Sequence, residues 1–233
     1  MAFGGLSALR GVDVAIEEHE VVGLLGPNGS GKSTLFNVLD GLLQPTAGEV
    51  WFRGERITGR PPWAIARRGI GRTFQIPRPF PGLSVRDSVL VGVTFRGQHR
   101  YRRAADRRAE AERLLALVGL ADKAGARSTE LSLGEMKRLE LAVALSSRPT
   151  LLLLDELASG LSPRGREEVL RFYGRLRQRG MTIFAIEHSF AVLSQVADRM
   201  LVLDQGRIVA EGTPAAVLAS HRVAEAYLGE EDH

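Results

Sequence analysis

The chain has 233 residues, 44% hydrophobic and 25% charged, which is enough for one large α/β domain or a domain with an inserted lobe. It has no cysteine, which excludes disulfides and thiolate-bound metals, and no apolar run approaches the ~20 residues needed to span a bilayer. The net charge is +4 and the pI about 9.9. Even so, acidic residues interleave with the arginine pairs at 67–68, 102–103 and 107–108, and no stacking aromatics accompany them, so no nucleic-acid partner is expected.

Val12, Val14 and Ile16 alternate with polar residues and predict a half-buried strand. Val21–Leu25 reads as a buried strand and Leu35–Leu39 as a helix. Arg53-Gly54 is flanked by two short strand-like segments, as in a hairpin. Pro61-Pro62 opens a short helix through Arg68, and a strand is predicted from Ile70 to Gln75. After Ile76 the texture changes. Pro77, Pro79 and Pro81 break regular structure, and helical patterns follow at Val85–Val91 and Arg102–Val118, the second with Ala111, Leu114, Leu115 and Val118 as its apolar stripe. No strand is predicted before Thr150. Leu151–Leu154 then reads as a strand buried on both faces. A helix from Arg164 to Arg179, strands at Met181–Ile186, Met200–Leu203 and Arg207–Ala210, and closing helices at Pro214–Ala219 and Val223–Tyr227 complete the pattern. Strands alternating with helices imply a mainly parallel sheet, with residues 76–148 inserted as a helical lobe between core segments 1–75 and 149–233.

Between the strand at Val21–Leu25 and the next helix lies Gly26-Pro27-Asn28-Gly29-Ser30-Gly31-Lys32-Ser33-Thr34, a full match to the phosphate-binding loop G-x-x-x-x-G-K-[ST] in its strand–loop–helix context. The glycines let backbone N–H groups turn inward on phosphate oxygens. Lys32 supplies a point charge to the β- and γ-phosphates, and the Ser33 hydroxyl is a ligand for Mg²⁺. The strand Leu151–Leu154 ends in two acids. Asp155 suits Mg²⁺, usually through its water, and Glu156 suits orienting or deprotonating an attacking water.

Leu131-Ser132-Leu133-Gly134-Glu135 precedes another helical run. With the phosphate loop, the acid pair, Gln75, the turn Ser159-Gly160-Leu161-Ser162 and His188, all in order, the whole chain closely resembles the nucleotide-binding subunits of ABC transporters. The segment 131–135 resembles their Leu-Ser-Gly-Gly-Gln signature. Phe3-Gly4-Gly5-Leu6, Arg72-Thr73-Phe74-Gln75, Ile186-Glu187-His188 and Ala226-Tyr227-Leu228-Gly229-Glu230 narrow the likeness to the branched-chain amino acid importer ATPases. Urea, short-amide and lipopolysaccharide transporter ATPases share much of the pattern.

The resemblance implies a P-loop NTPase (RecA-like) α/β core with a mainly parallel sheet, an antiparallel β-subdomain and an inserted α-helical lobe. It implies ATP and Mg²⁺ as ligands. Glu156, His188 and Gln75 would be catalytic, and Ser33, Gln75 and Asp155 would hold the metal. The loop 26–34 would cradle phosphate, and Phe3 would stack on adenine. In similar proteins two ATPases pair head to tail, so Ser132, Gly134 and Glu135 would meet the partner subunit's ATP. Closing and opening of that pair drives membrane-spanning permease subunits, and a periplasmic or extracellular solute-binding protein acts indirectly. The chain would sit peripherally on the cytoplasmic face of the membrane. Pro77, Phe80, Leu83 and Val85 are the candidates for the groove that receives a coupling helix. Three residues depart from the family pattern: Glu135 for glutamine, Leu157 for proline and Ser162 for aspartate. A carboxylate at 135 beside a polyphosphate is unfavourable unless it turns away. A soluble ABC ATPase acting on ribosomes or DNA is the alternative from another class. Such relatives usually carry two cassettes or a long coiled-coil insertion, and this sequence has neither.

Overall fold

The computed structural model describes residues 2–3, 6–77, 80–97, 101 and 103–220. In chain order its elements are β1 (Ala2–Phe3), β2 (Leu6–Ser7), β3 (Val21–Leu25), α1 (Lys32–Leu39), β4 (Trp51–Phe52), β5 (Glu55–Arg56), α2 (Pro62–Arg68), β6 (Ile70–Arg72), α3 (Val85–Gly97), α4 (Ala104–Leu117), α5 (Leu133–Ser146), β7 (Leu151–Asp155), α6 (Pro163–Gln178), β8 (Thr182–Ile186), α7 (Phe190–Leu193), β9 (Arg199–Asp204), β10 (Arg207–Gly212) and α8 (Pro214–Leu218). Two 3₁₀ turns, Ala121–Lys123 and Ser128–Glu130, lie between α4 and α5 in sequence. The chain divides into two compact units, Met1–Ile65 with Tyr173–His233, and Ala66–Phe172.

In the first unit β3 runs parallel to both β8 and β9, with Val22 opposite Phe184 on one side and Leu24 opposite Leu201 on the other. Every residue of β3 and β8 is buried, which explains why β3 carries no polar side chain and β8 only Thr182. Phe36 of α1 packs on Phe184, ring centroids 5.1 Å apart and tilted by 52°. β10 returns antiparallel to β9 through Gln205-Gly206, and β4 and β5 pair through Arg53-Gly54. Both turns place two successive residues at positive φ, the conformation that a tight hairpin needs.

In the second unit β6 and β7 are parallel, Gly71 opposite Leu152. Three helices contribute much of the rest of the core. Val85, Val89 and Val93 of α3, Ala111, Leu114 and Leu115 of α4, and Leu139 and Ala142 of α5 are all buried. α3 approaches α5 so closely at Gly92 that a Cβ there would lie 1.8 Å from Ser146 Oγ.

Some readings of the sequence are corrected. Residues 12–16 form no strand. Their burial alternates as the pattern implies, but among the described residues no backbone pairs with them as a ladder. β6 ends at Arg72 rather than Gln75, although Thr73 N still donates to Leu153 O at 3.0 Å. Val85 is core rather than groove lining, whereas Phe80 is 40% exposed. The helix predicted at Val223–Tyr227 and the motif at 226–230 lie outside the described residues, as do Gly4, Gly5 and Pro79. Among the described residues no helix is long and apolar enough to cross a membrane.

Candidate active site

The first unit carries the phosphate loop. β3 delivers the chain into it from a fully buried strand, and α1 begins directly after it. Gly29 and Gly31 adopt φ of 80° and 111°, and a Cβ on Gly31 would lie 2.5 Å from Ala8 O, so only glycine fits there. Lys32 is buried, and its Nζ donates to Gly26 O at 2.6 Å and Pro27 O at 2.9 Å. The ammonium is thus held inside the curl of the loop. Gly31 supplies no capping side chain to α1, and no carboxylate occupies the helix's first turn. That arrangement suits an anion at the helix N-terminus. The Ser30 hydroxyl is buried without a hydrogen-bond partner among the described residues. A buried unsatisfied hydroxyl beside inward-curled backbone fits a phosphate ligand. Ser33 is exposed at the head of α1.

His188 follows β8 in the same unit and is exposed. Its neighbour Glu187 is buried and accepts a hydrogen bond from Tyr173 Oη at 3.5 Å. Burial, reinforced by that carboxylate, pushes the Tyr173 phenol well above its ordinary range. Phe3 is placed in β1 by its backbone pairing with Leu6.

The second unit brings Asp155, Glu156 and Gln75 together. Gln75 Nε2 donates to Glu156 Oε2 at 2.8 Å, joining residues 81 positions apart. Asp155 closes β7, is buried, and pairs with Arg72 Nη2 at 3.1 Å. Its backbone N–H donates to Thr73 Oγ1 at 3.2 Å, which ties the end of β7 to the segment after β6. Glu156 is buried with φ of 52°, a conformation rarely adopted by residues other than glycine. Among the described residues no cluster of three or more His, Asp or Glu side chains is arranged around a metal. The residues predicted for Mg²⁺ are instead a hydroxyl, an amide and a carboxylate, hard oxygen donors of the kind that share Mg²⁺ with phosphate and water.

Ser132 is the N-cap of α5. Its side chain accepts from Glu135 N at 3.4 Å, while the Glu135 carboxylate accepts from Ser132 N at 2.9 Å, a reciprocal capping box. Glu135 also receives Lys123 Nζ at 2.6 Å. That bond first, and the Ser132 backbone second, holds the Glu135 carboxyl down at about 2. Ser162 is likewise turned to local work, since its hydroxyl accepts from Gly165 N at the start of α6. A cavity of about 380 Å³ lies beside these residues, lined by Leu133, Gly134, Leu161, Ser162, Val169 and Phe172 among others. A second, of about 170 Å³, is lined by Phe74, Pro77, Phe80, Leu139 and Glu140.

Lys137 was not singled out by motif. It is 5% exposed, and its Nζ donates to three carbonyls, Glu156 O at 2.6 Å, Leu157 O at 3.3 Å and Ser159 O at 2.7 Å. One ammonium therefore pins the turn that carries Glu156. The available signal was compositional: lysine occurs at only three positions, 32, 123 and 137, in a chain whose 31 basic residues are otherwise arginine.

Residues 9–159 match the family model described as ABC transporter, and residues 207–233 match the one described as branched-chain amino acid ATP-binding cassette transporter. The chain is 37% identical to the high-affinity branched-chain amino acid transport ATP-binding protein BraF of Pseudomonas aeruginosa, over 99% of this chain and 95% of that one. To the corresponding LivG protein of Escherichia coli K12 it is 36% identical with the same coverage. Among solved structures, a nucleotide-free ATP-binding cassette from an ABC transporter aligns with a TM-score of 0.87 at 30% identity, over 99% of this chain and 96% of that one. The dimeric cassette MJ0796, bound to ADP and Pi in a post-hydrolysis state, aligns at 0.82 with 27% identity, over 92% and 94%. The loop built around Lys32, the acid pair at the end of β7 and this near-complete likeness lead to one conclusion: the chain belongs to the ABC transporter family as an ATP-binding cassette, and is an ATPase.

Proposed function

We propose that the chain is the ATP-hydrolysing subunit of an importer for branched-chain or other hydrophobic amino acids, bound peripherally to permease subunits on the cytoplasmic face of the membrane. The observation that carries this reading is the likeness, over almost the whole chain, to relatives named as branched-chain amino acid transport ATP-binding proteins. The match at residues 207–233 supports the same solute class.

In this reading the loop Gly26–Thr34 binds the ATP phosphates through backbone N–H groups and Lys32, and Phe3 stacks on adenine. Mg²⁺, when bound, neutralises phosphate charge, and Ser33, Gln75 and Asp155 would hold it, Asp155 through a water. Glu156 takes a proton from the attacking water, and the hydrogen bond from Gln75 to its Oε2 orients the carboxylate. His188 meets the γ-phosphate. Ser132 and Gly134, at the start of α5, serve the ATP of a second ATPase subunit, so that ATP holds the pair closed and hydrolysis releases it.

The test replaces Glu156 by glutamine in cells that depend on the transporter and measures uptake of radiolabelled leucine together with ATP turnover by the purified complex. MgATP binding is retained and both rates fall, turnover by about 10²–10⁴-fold, the usual worth of a positioned base. Near-normal turnover contradicts the role of Glu156. Unaffected leucine uptake with lost turnover contradicts the solute class.

A further inference from the structure

Glu135 places a carboxylate on the first turn of α5, beside the residues assigned to a neighbouring subunit's phosphate. In the structure both of its oxygens are committed. Oε2 accepts from Ser132 N and from Ser132 Oγ, each at 2.9 Å, and Oε1 accepts from Lys123 Nζ at 2.6 Å. The Glu135 side chain is 16% exposed and that of Lys123 38%. Among the described residues Arg138 also comes within ion-pair range, but its Nη2 is 4.0 Å from Glu135 and its Nη1 turns to Glu168 at 3.4 Å. The capping box alone would leave one net negative charge at a helix N-terminus, where it would oppose the approach of another anion. Lysine at 123 cancels that charge from the side of the Glu135 Oε1 oxygen.

We propose that Lys123 is a positioning residue for ATP hydrolysis: it holds the Glu135 carboxylate against Ser132 and cancels its charge, so that the start of α5 can receive the γ-phosphate of an ATP bound by a second subunit. The inference rests on the reading of Ser132 and Gly134 given above. It also accounts for the departure from the family's glutamine, because Lys123 and Glu135 together present the neutral amount of charge that glutamine presents alone.

The test uses the assembled transporter complex and reads ATP turnover across ATP concentrations. Lys123→Met lowers turnover at subsaturating ATP about tenfold, through exposure of an unpaired charge to the polyphosphate. Adding Glu135→Gln to Lys123→Met restores turnover to within about twofold of the starting complex, the coupling expected of residues in direct contact. Wild-type turnover by Lys123→Met overturns the proposal, as does a double variant no faster than the single one, which would assign Lys123 a purely structural role. Ser132→Arg separates the underlying reading: loss of turnover supports it, and full turnover overturns it and the proposal together. Inactive Ser132→Arg alongside fully active Lys123→Met removes only the role of Lys123.

Discussion

Replacing Lys137 by methionine keeps the length and apolar stem of the side chain and deletes its ammonium. Three donors lose three carbonyl acceptors, at 2.6, 3.3 and 2.7 Å, in a site where the residue is 5% exposed. A hydrogen bond from a charged donor is worth roughly 1.5–3 kcal/mol, so the gross loss is about 5–9 kcal/mol. Against this, methionine is spared the several kcal/mol of desolvation that a buried ammonium costs. The net is a destabilisation of about 3 kcal/mol, or a fall in Tm of roughly 6–12 °C for a chain of this size. The turn at 156–159 also loses what fixes it, and Glu156 holds φ of 52° there, a conformation that costs about 1–2 kcal/mol to maintain. Once unpinned, Glu156 relaxes away from Gln75, and turnover falls at least about tenfold even well below the melting transition. Thermal melting and ATPase assays on the same preparation check both effects. Lys137→Arg is the control: it keeps the charge, but its planar fork cannot aim at three convergent carbonyls, so it recovers little. A Lys137→Met protein that melts within about 2 °C of wild type and turns over ATP at the normal rate would refute the reasoning.

Lys32→Ala weakens MgATP binding itself, measured by calorimetry, because no arginine in the loop can replace its charge; unchanged affinity would mean that the loop does not hold phosphate. Glu140 is raised to about 7, chiefly by burial, and the Phe74 backbone N–H, Lys137 and Arg72 only partly oppose this. Between about pH 4.5 and 7 the folded chain keeps a proton there that the unfolded chain has lost, so the stability tied to this group is full below pH 4.5 and disappears as pH rises through 7. Glu140→Gln therefore flattens the denaturation-versus-pH profile and stabilises the protein at pH 8 by about 3 kcal/mol; an unchanged slope would count against a buried, protonated carboxyl. Phe80→Ser, at a 40% exposed position lining the smaller cavity, lowers permease assembly and solute uptake while ATP binding by the isolated chain persists; normal assembly by the folded variant would place the docking groove elsewhere.

What could be read from the sequence follows how local each feature is. The phosphate loop is nine consecutive residues with its strand and helix attached, and the acid pair sits at the end of an apolar run, so chain order alone exposes both. The buried strands were visible as continuous apolar segments. Val12, Val14 and Ile16 were misread because alternation reports which side chains face inward, not whether a neighbouring backbone is there to pair. The hydrogen bond from Gln75 to Glu156 spans 81 positions, and although the family likeness picks out Gln75, nothing in the sequence announces the bond. Lys137 escaped for a similar reason: its acceptors are backbone carbonyls about 20 positions away, and carbonyls carry no residue identity. The Lys123–Glu135 pair joins a 3₁₀ turn to a helix cap, and nothing in the spacing of the two residues announces it.

The scarcity of lysine gives the molecule an unusual chemical address. Apart from its N-terminus it offers amine-directed reagents only three targets, and each sits at a part assigned to nucleotide handling. Lys123 is the accessible one, whereas Lys32 and Lys137 are 6% and 5% exposed. Among the lysines, mild acylation would therefore mark Lys123, beside the signature cap, first. Lys32 would be marked only where the phosphate loop opens, and Lys137 only where the turn behind Glu156 gives way. Peptide mass mapping during turnover would then show which of the three lysines carries an adduct, and so which region has loosened, with no engineered label in the protein.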